Sequence, residues 1–171
     1  MTEISRPTVI NDFAFFYGRW RVINRRLTRR LQGSDAWEMF EAEQRCVPLM
    51  DGIGNTDEMR SLSGEIIGIS LRLFNLQART WSIYWVSPRD GVLQPPDVGS
   101  FNAGVGVFIG ADTFAGAPIT VRYTWSRTDT AAPRWEQEFS SDGGRTWEKN
   151  WVMDFSRLDA PDDQPALWPL G

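Results

Sequence analysis

Between residues 18 and 157 the sequence is a succession of short runs rich in β-branched and aromatic residues, separated by turn formers, and no stretch sustains a helical period. GRWRVINRRLT, WEMFEAEQRCV, EIIGISLRLF, TWSIYWVS, GVGVFIGA, ITVRYTWSRT, RWEQEFSS and WEKNWVMDFSR each read as a strand, and GIGNTDEMRSLS supplies another. Ahead of them, Asn11 to Phe16 can form one helical turn, capped by Asn11 or Asp12 and stopped by Gly18. Strands this short, joined by turns this short, leave a sandwich or an up-and-down barrel.

Parity within the hairpins decides for the barrel. If the turn at Gln32-Gly33-Ser34 pairs Arg25 with Glu41, then Trp20, Val22, Asn24 and Arg26 share a face with Phe40, Ala42, Gln44 and Cys46. The other face carries Arg19, Arg21, Arg25, Glu41, Glu43 and Arg45, which belong in water or in pairs. By the same parity Trp81, Ile83 and Trp85 oppose Leu73, Leu71 and Ile69, while Val121, Tyr123 and Trp125 oppose Phe139, Gln137 and Trp135. The last hairpin sets Phe139, Gln137 and Trp135 against Trp147, Lys149 and Trp151. Agreement among independent hairpins predicts an all-β fold, a single antiparallel up-and-down β-barrel of about eight to ten strands. It is expected to occupy residues 1–158. The stretch 159–171, DAPDDQPALWPLG, is proline-rich and acidic and reads as a tail, poorly ordered or docked on the surface.

What the chain lacks narrows its chemistry. It has no histidine, which removes a His general base, a Ser-His-Asp triad, a proximal haem ligand and most zinc sites. Cys46 is the single cysteine, so no internal disulfide can form, and on the inward parity its thiol acts as a small hydrophobe. No cofactor is expected, although carboxylates such as Asp51 and Asp57 leave calcium open. A net charge of −4 argues against nucleic acid as a partner, and the arginine cluster of the first strand already has an outer face to occupy. Apart from Lys149 every basic side chain is Arg, a bias that a GC-rich bacterial genome explains as readily as function. No basic start followed by an apolar run marks a secretory signal, and no apolar stretch has the length of a membrane span. Cytoplasmic residence with no membrane partner is therefore the expectation.

Two local motifs stand out. Ser140 to Trp147, SSDGGRTW, fits the S-x-D-x-G-x-T-W pattern of the Asp box found in sialidases and other propeller proteins. Physically it is a hairpin device: the Asp142 carboxylate takes turn amides, the glycines allow positive φ, and Trp147 packs under the loop. A sialidase needs several such boxes on a far longer chain, so the hairpin is expected and the enzyme is not. The second motif is FFYGRWRV, a helical turn followed by Gly18-x-Trp20 at the start of the first strand. It resembles the opening of a calycin barrel, the group that includes lipocalins and fatty-acid-binding proteins. That resemblance implies that Trp20 closes one end of the barrel with Arg157 of the last strand laid over it.

From Phe13 to Arg157 the layout is similar to bacterial calycin-like families of unknown function, which also carry a central L-x-D-G-like stretch, here Pro48 to Gly52, and a late S-x-D-G-G-x-T-W. Such a family implies a barrel with a pocket but no settled activity. The related haem-binding nitrobindin type needs an axial His, which this chain does not have. GVGVFIG at 104–110 lacks the spacing and the following helix of a phosphate loop, and reads as a strand against which a ligand or another strand comes close.

The inward polar set is Asn24, Arg26, Gln44, Tyr123, Gln137 and Lys149, beneath a wall that includes Trp85, Trp125 and Trp151. Polar groups buried there either satisfy one another or orient a ligand. The expected ligand is small and apolar or amphipathic, with an anionic end placed by Lys149 and Arg26. Two alternatives stay open. One is an isomerase, cyclase or lyase on the same barrel with Tyr123, Lys149 or a carboxylate as acid or base. The other is an interaction domain whose core is filled by its own side chains. A second copy of the chain is a further candidate partner.

Overall fold

The computed structural model describes residues 10–158, and the tail at 159–171 lies outside them. A 3-10 turn at Ala14–Phe16 precedes ten strands: β1 (Gly18–Leu27), β2 (Trp37–Leu49), β3 (Gly54–Ser61), β4 (Ile66–Asn75), β5 (Thr80–Val86), β6 (Asp97–Asn102), β7 (Val105–Phe114), β8 (Ala117–Ser126), β9 (Arg134–Ser140) and β10 (Glu148–Arg157). Each pairs antiparallel with the next, and β1 also pairs with β10, so the sheet closes without a free edge. The all-β up-and-down barrel read from the hairpins is what forms. No helix among the described residues is long and apolar enough to cross a membrane.

The tenth strand, β6, is the element the sequence pattern hid. It lies directly after Pro95 and Pro96 and contains Gly99, features that read as loop. Gly99 is required there: a Cβ would stand 1.8 Å from the Val107 carbonyl oxygen of β7. The inward side of β6 carries Asp97 and Phe101, while Val98 is exposed on the other face.

Parity held in two hairpins and failed in two. β8 and β9 pair as expected, with Val121 opposite Phe139, Tyr123 opposite Gln137 and Trp125 opposite Trp135. In β1–β2 the inward set is as expected, but the pairing is displaced by two residues, so Arg25 meets Met39 and Ile23 meets Glu41. In β4–β5 the expectation is overturned: Ser70, Arg72 and Phe74, not Ile69, Leu71 and Leu73, oppose Trp85, Ile83 and Trp81. The cause is the connecting loop. The Asn75 side chain accepts the amides of Gln77 and Ala78, and Arg79 takes φ 56, closing a turn that sets Asn75 opposite Thr80.

The last hairpin fails through a bulge. Glu148 and Lys149 pair with Phe139 and Glu138, then the register shifts so that Trp151 meets Gln137. Asn150 is the extra residue and is fully buried. Trp151, Met153 and Phe155 stay inside, while Trp147 goes outside under the Arg122 guanidinium at 4.1 Å. The turn before it behaves as an Asp box should: Asp142 accepts the amides of Arg145 and Thr146 and the Thr146 hydroxyl, which holds its carboxyl down at about 2.

One end of the barrel is sealed with aromatic rings. Phe13 meets Trp81 and Phe101 edge-on at 4.8 and 5.0 Å, and Phe16 packs 4.7 Å from Trp125. Trp20 donates its indole N–H to the Phe16 carbonyl, and the Arg157 guanidinium lies 4.1 Å from the Trp20 ring. Arg157 also donates to the carbonyls of Tyr17 and Phe15 at 2.8 and 2.9 Å, tying the last strand to the opening turn. Arg157→Leu removes two charge-assisted hydrogen bonds and a cation–π contact, and is expected to cost about 2–4 kcal/mol in urea unfolding. A variant as stable as the parent would show that the arginine does not seal this end.

Candidate functional site

Above the sealed end the barrel holds a cavity of about 230 Å³ that opens toward the other end. Its walls are apolar and mostly aromatic: Trp85, Trp125, Trp135, Trp151, Met59 and Met153 all line it. The rings meet at angles rather than in layers, Trp135 lying edge-on to Trp151 at 5.7 Å and Tyr123 tilted against Trp135 at 5.0 Å. Gly68 makes room for this wall, since a Cβ on it would stand 2.2 Å from the Trp85 ring.

The floor is polar. Arg72 (β4) forms an ion pair with Asp57 (β3) at 2.5 Å and donates to Asn55 Oδ1 at 2.9 Å. Gln44 (β2) donates its amide to the other carboxylate oxygen of Asp57 at 2.6 Å. The guanidinium rests over Phe13 and Phe16, 5.2 and 5.4 Å from their centroids. Cys46 sits beside this cluster, fully buried, and burial pushes its thiol far up, with Arg72 pulling it down and Asp57 pushing it up. A thiol in that state packs and does not react.

On the opposite wall Tyr123 hydrogen-bonds Asp97, with Asp112 nearby. Gly110 leaves the space Asp97 uses, because a Cβ there would stand 2.2 Å from Asp97 Oδ1. Burial lifts the Asp97 carboxyl to about 7, the Tyr123 hydrogen bond opposing that rise and the Asp112 charge adding to it. Burial, then the charges of Asp97 and Asp112, raises the Tyr123 hydroxyl well above the ordinary range. The arrangement is a phenol that keeps its proton at neutral pH beside a carboxyl that is about half protonated there.

The mouth is covered in part by the β1–β2 loop. Arg30 reaches over Phe114 and Phe139 at 5.8 and 5.9 Å, and Leu31, at φ 57, donates its amide to Glu148 Oε1. Burial, and then repulsion from Arg26, lowers the Arg30 pKa.

Of the nine residues expected at the site, Gln44, Trp85, Tyr123, Trp125, Gln137 and Trp151 line the cavity. Asn24 is buried behind the wall, where its side-chain oxygen accepts the Trp151 indole N–H at 3.0 Å. Arg26 stands at the rim, bonded to Glu38 and stacked 5.2 Å over Trp151. Lys149 is a correction: the bulge at Asn150 turns it outward, where it pairs with Glu136 at 2.8 Å and its side chain is 45% exposed. The interior cationic pair expected of Lys149 and Arg26 does not exist. Asp57 is turned into the barrel against Arg72, so it cannot share calcium with Asp51. Among the described residues no three His, Cys, Asp or Glu side chains are grouped to hold a metal ion.

Sequence reasoning missed Arg72, Asp97 and Asp112, and named Asp57 only as a calcium ligand. Arg72 lies between Leu71 and Leu73, so apolar patterning points the leucines inward. The signal that decides otherwise is the Asn75 turn, which sets the parity of the whole strand. Asp97 was missed with its strand.

No family model matches the chain, and no curated protein matches it. Among solved structures it is similar to Rv2717c from M. tuberculosis, with a TM-score of 0.52 at 11% identity, over 89% of this chain and 100% of that one. At that identity the likeness is one of fold.

Asp97 makes stability depend on pH in a direction opposite to most carboxylates. Folded, it keeps its proton up to about pH 7, whereas an ordinary aspartic carboxyl releases it near 3.8. Between those values the folded state binds more protons, so stability from this group is complete at low pH and falls as pH rises. Asp97→Asn is expected to gain stability over the parent progressively between about pH 4 and 7, by urea unfolding at each pH. A difference that does not vary with pH would place Asp97 in a solvated setting.

Proposed function

We propose that the chain is a calycin-like carrier that holds a small, largely apolar molecule inside its barrel. The observation that carries this reading is the tryptophan-walled cavity of about 230 Å³ with a polar floor. Apolar walls with a few convergent polar groups are the usual make-up of a small-molecule site. The volume lies below the roughly 300–1,000 Å³ common for drug-sized ligands, which favours a one- or two-ring molecule over a long acyl chain. The anion site expected of Lys149 and Arg26 has lost its support, because Lys149 is outside and Arg26 is paired with Glu38; Arg72 faces Asp57, and Arg30 at the mouth is the remaining cation on the cavity. An interaction domain with a filled core is disfavoured by the same cavity.

One observation favours an enzyme on this barrel: Tyr123 and Asp112 line the cavity, and Tyr123 interacts with Asp97, whose carboxyl burial lifts to about 7. Such a pair can donate a proton to a bound carbonyl or leaving group. In that case Tyr123→Phe abolishes turnover and leaves binding in place.

Native mass spectrometry of gently purified protein is expected to show a retained small molecule, and calorimetry with naphthalene to show binding at one site. At a free concentration a hundredfold above Kd, naphthalene should add about 2.7 kcal/mol to the unfolding free energy. Ile83→Trp, which fills the cavity from β5, should weaken naphthalene at least about tenfold with the circular dichroism unchanged. Binding that survives in that variant would place the site elsewhere.

A further inference from the structure

We propose that Arg30, at the cavity mouth, holds the carboxylate of an aromatic acid whose ring lies against the tryptophan wall; this rests on the carrier reading above and specifies its ligand. Arg30 comes from the loop between β1 and β2, lines the cavity, and stands over Phe114 and Phe139, which line it too. The loop is pinned beside it, where Leu31 at φ 57 donates its amide to Glu148 Oε1 at 2.8 Å. Among the described residues Arg30 makes no ion pair and donates no hydrogen bond. Aromatic rings answer the face of a guanidinium, but its in-plane N–H groups need acceptors. A carboxylate supplies two, at the spacing of that fork.

The neighbouring charges leave this place open. Glu38 is taken by Arg26 at 2.6 Å, and Glu148 accepts the Leu31 amide. Burial, and then repulsion from Arg26, lowers the Arg30 pKa, with the charges of Glu38 and Glu148 opposing. An anion beside the guanidinium offsets both effects. Asp112 is the other charge lining the cavity outside the Arg72–Asp57 pair. It is exposed, and its Oδ1 accepts the Thr113 amide at 2.6 Å, so water and backbone already answer it. Arg30 is partly buried. The guanidinium is therefore the group with lost hydration to recover.

The spacing of the wall sets the shape of the acid. Along β9, Trp135, Gln137 and Phe139 line the cavity in turn. At about 3.3 Å per residue, Phe139 stands roughly 13 Å along the strand from Trp135. A ring resting on Trp135 and Trp151 lies below the level of Phe139 and Arg30, so the carboxylate belongs on a short tether rather than directly on the ring.

The test is calorimetry on the full chain at pH 7 with naphthalene, 2-naphthylacetate, 3-(2-naphthyl)propanoate, the amides of both acids, and 2-(2-naphthyl)ethylamine. At least one acid is expected to bind about tenfold tighter than its own amide, with the amine no tighter than the amides. Arg30→Gln should bring that ratio of acid to amide to about one. If the variant no longer binds naphthalene, the ranking on the parent chain decides alone. Equal affinity of each acid and its amide overturns the inference and leaves the carrier reading standing, as does a preference for the acid that survives in Arg30→Gln. Tightest binding of the amine also overturns it, and gives the mouth to Asp112. Failure of every compound to bind, naphthalene included, overturns the carrier reading with it.

Discussion

Arg72 is the point at which the sealed end and the cavity meet. A guanidinium in a barrel interior costs several kcal/mol of lost hydration unless its hydrogen bonds and its charge are answered. Here the answer comes from adjacent strands: Asn55 and Asp57 from β3 take its N–H groups and charge, and Gln44 from β2 completes Asp57. Phe13 and Phe16 supply the surface beneath. A one-residue slip of β4 would put Leu71 and Leu73 inside, send Arg72 to solvent and leave Asp57 as an unpaired buried carboxylate. The ion pair thus fixes the register of β2, β3 and β4 together and holds the opening turn against them. Whether it adds net stability is a separate matter from this specificity, because apolar replacements of buried pairs are often neutral or stabilising.

Alternation was enough to read the architecture but not every face. In β8–β9 both strands alternate cleanly and the loop between them adds no ambiguity, so Tyr123 and Gln137 were placed correctly. In β4 apolar residues stand on both parities, with Ile69, Leu71 and Leu73 on one and Phe74 on the other. Periodicity cannot choose there, and the turn at Asn75 does. In β10 a bulge satisfies two demands that strict alternation sets against each other: Lys149 reaches Glu136 outside, and Trp151, Met153 and Phe155 stay inside. A slip of the whole strand would have lost one of them. Bulges depend on long-range pairing and leave no local mark.

The aromatic content explains why the interior is hollow at one end. Nine Trp and ten Phe in 171 residues can close a barrel bottom, but rigid planar rings do not fill space continuously around a polar floor. Several of the rings are oriented by their own N–H groups: Trp20 on the Phe16 carbonyl, Trp81 on Asp12, Trp151 on Asn24. Trp125 is packed among Phe16, Phe15 and Phe155 yet has no acceptor within the protein. Packing alone holds that ring.

The two ends of the cavity differ in how their charges are answered. At the floor, Arg72 and Asp57 cancel in a buried pair. Toward the mouth, Arg26 is paired with Glu38, and Arg30 leans over Phe114 and Phe139 while Asp112 also lines the cavity. A charged molecule in the cavity would face a compensated pair at the bottom, and at the rim Arg30 and Asp112, which form no ion pair among the described residues. A neutral molecule loses less hydration and gains the tryptophan wall. On the proposed carrier reading, the tryptophan wall would favour a neutral ring system deep in the barrel, and the charges of Arg30 and Asp112 would act only at the mouth.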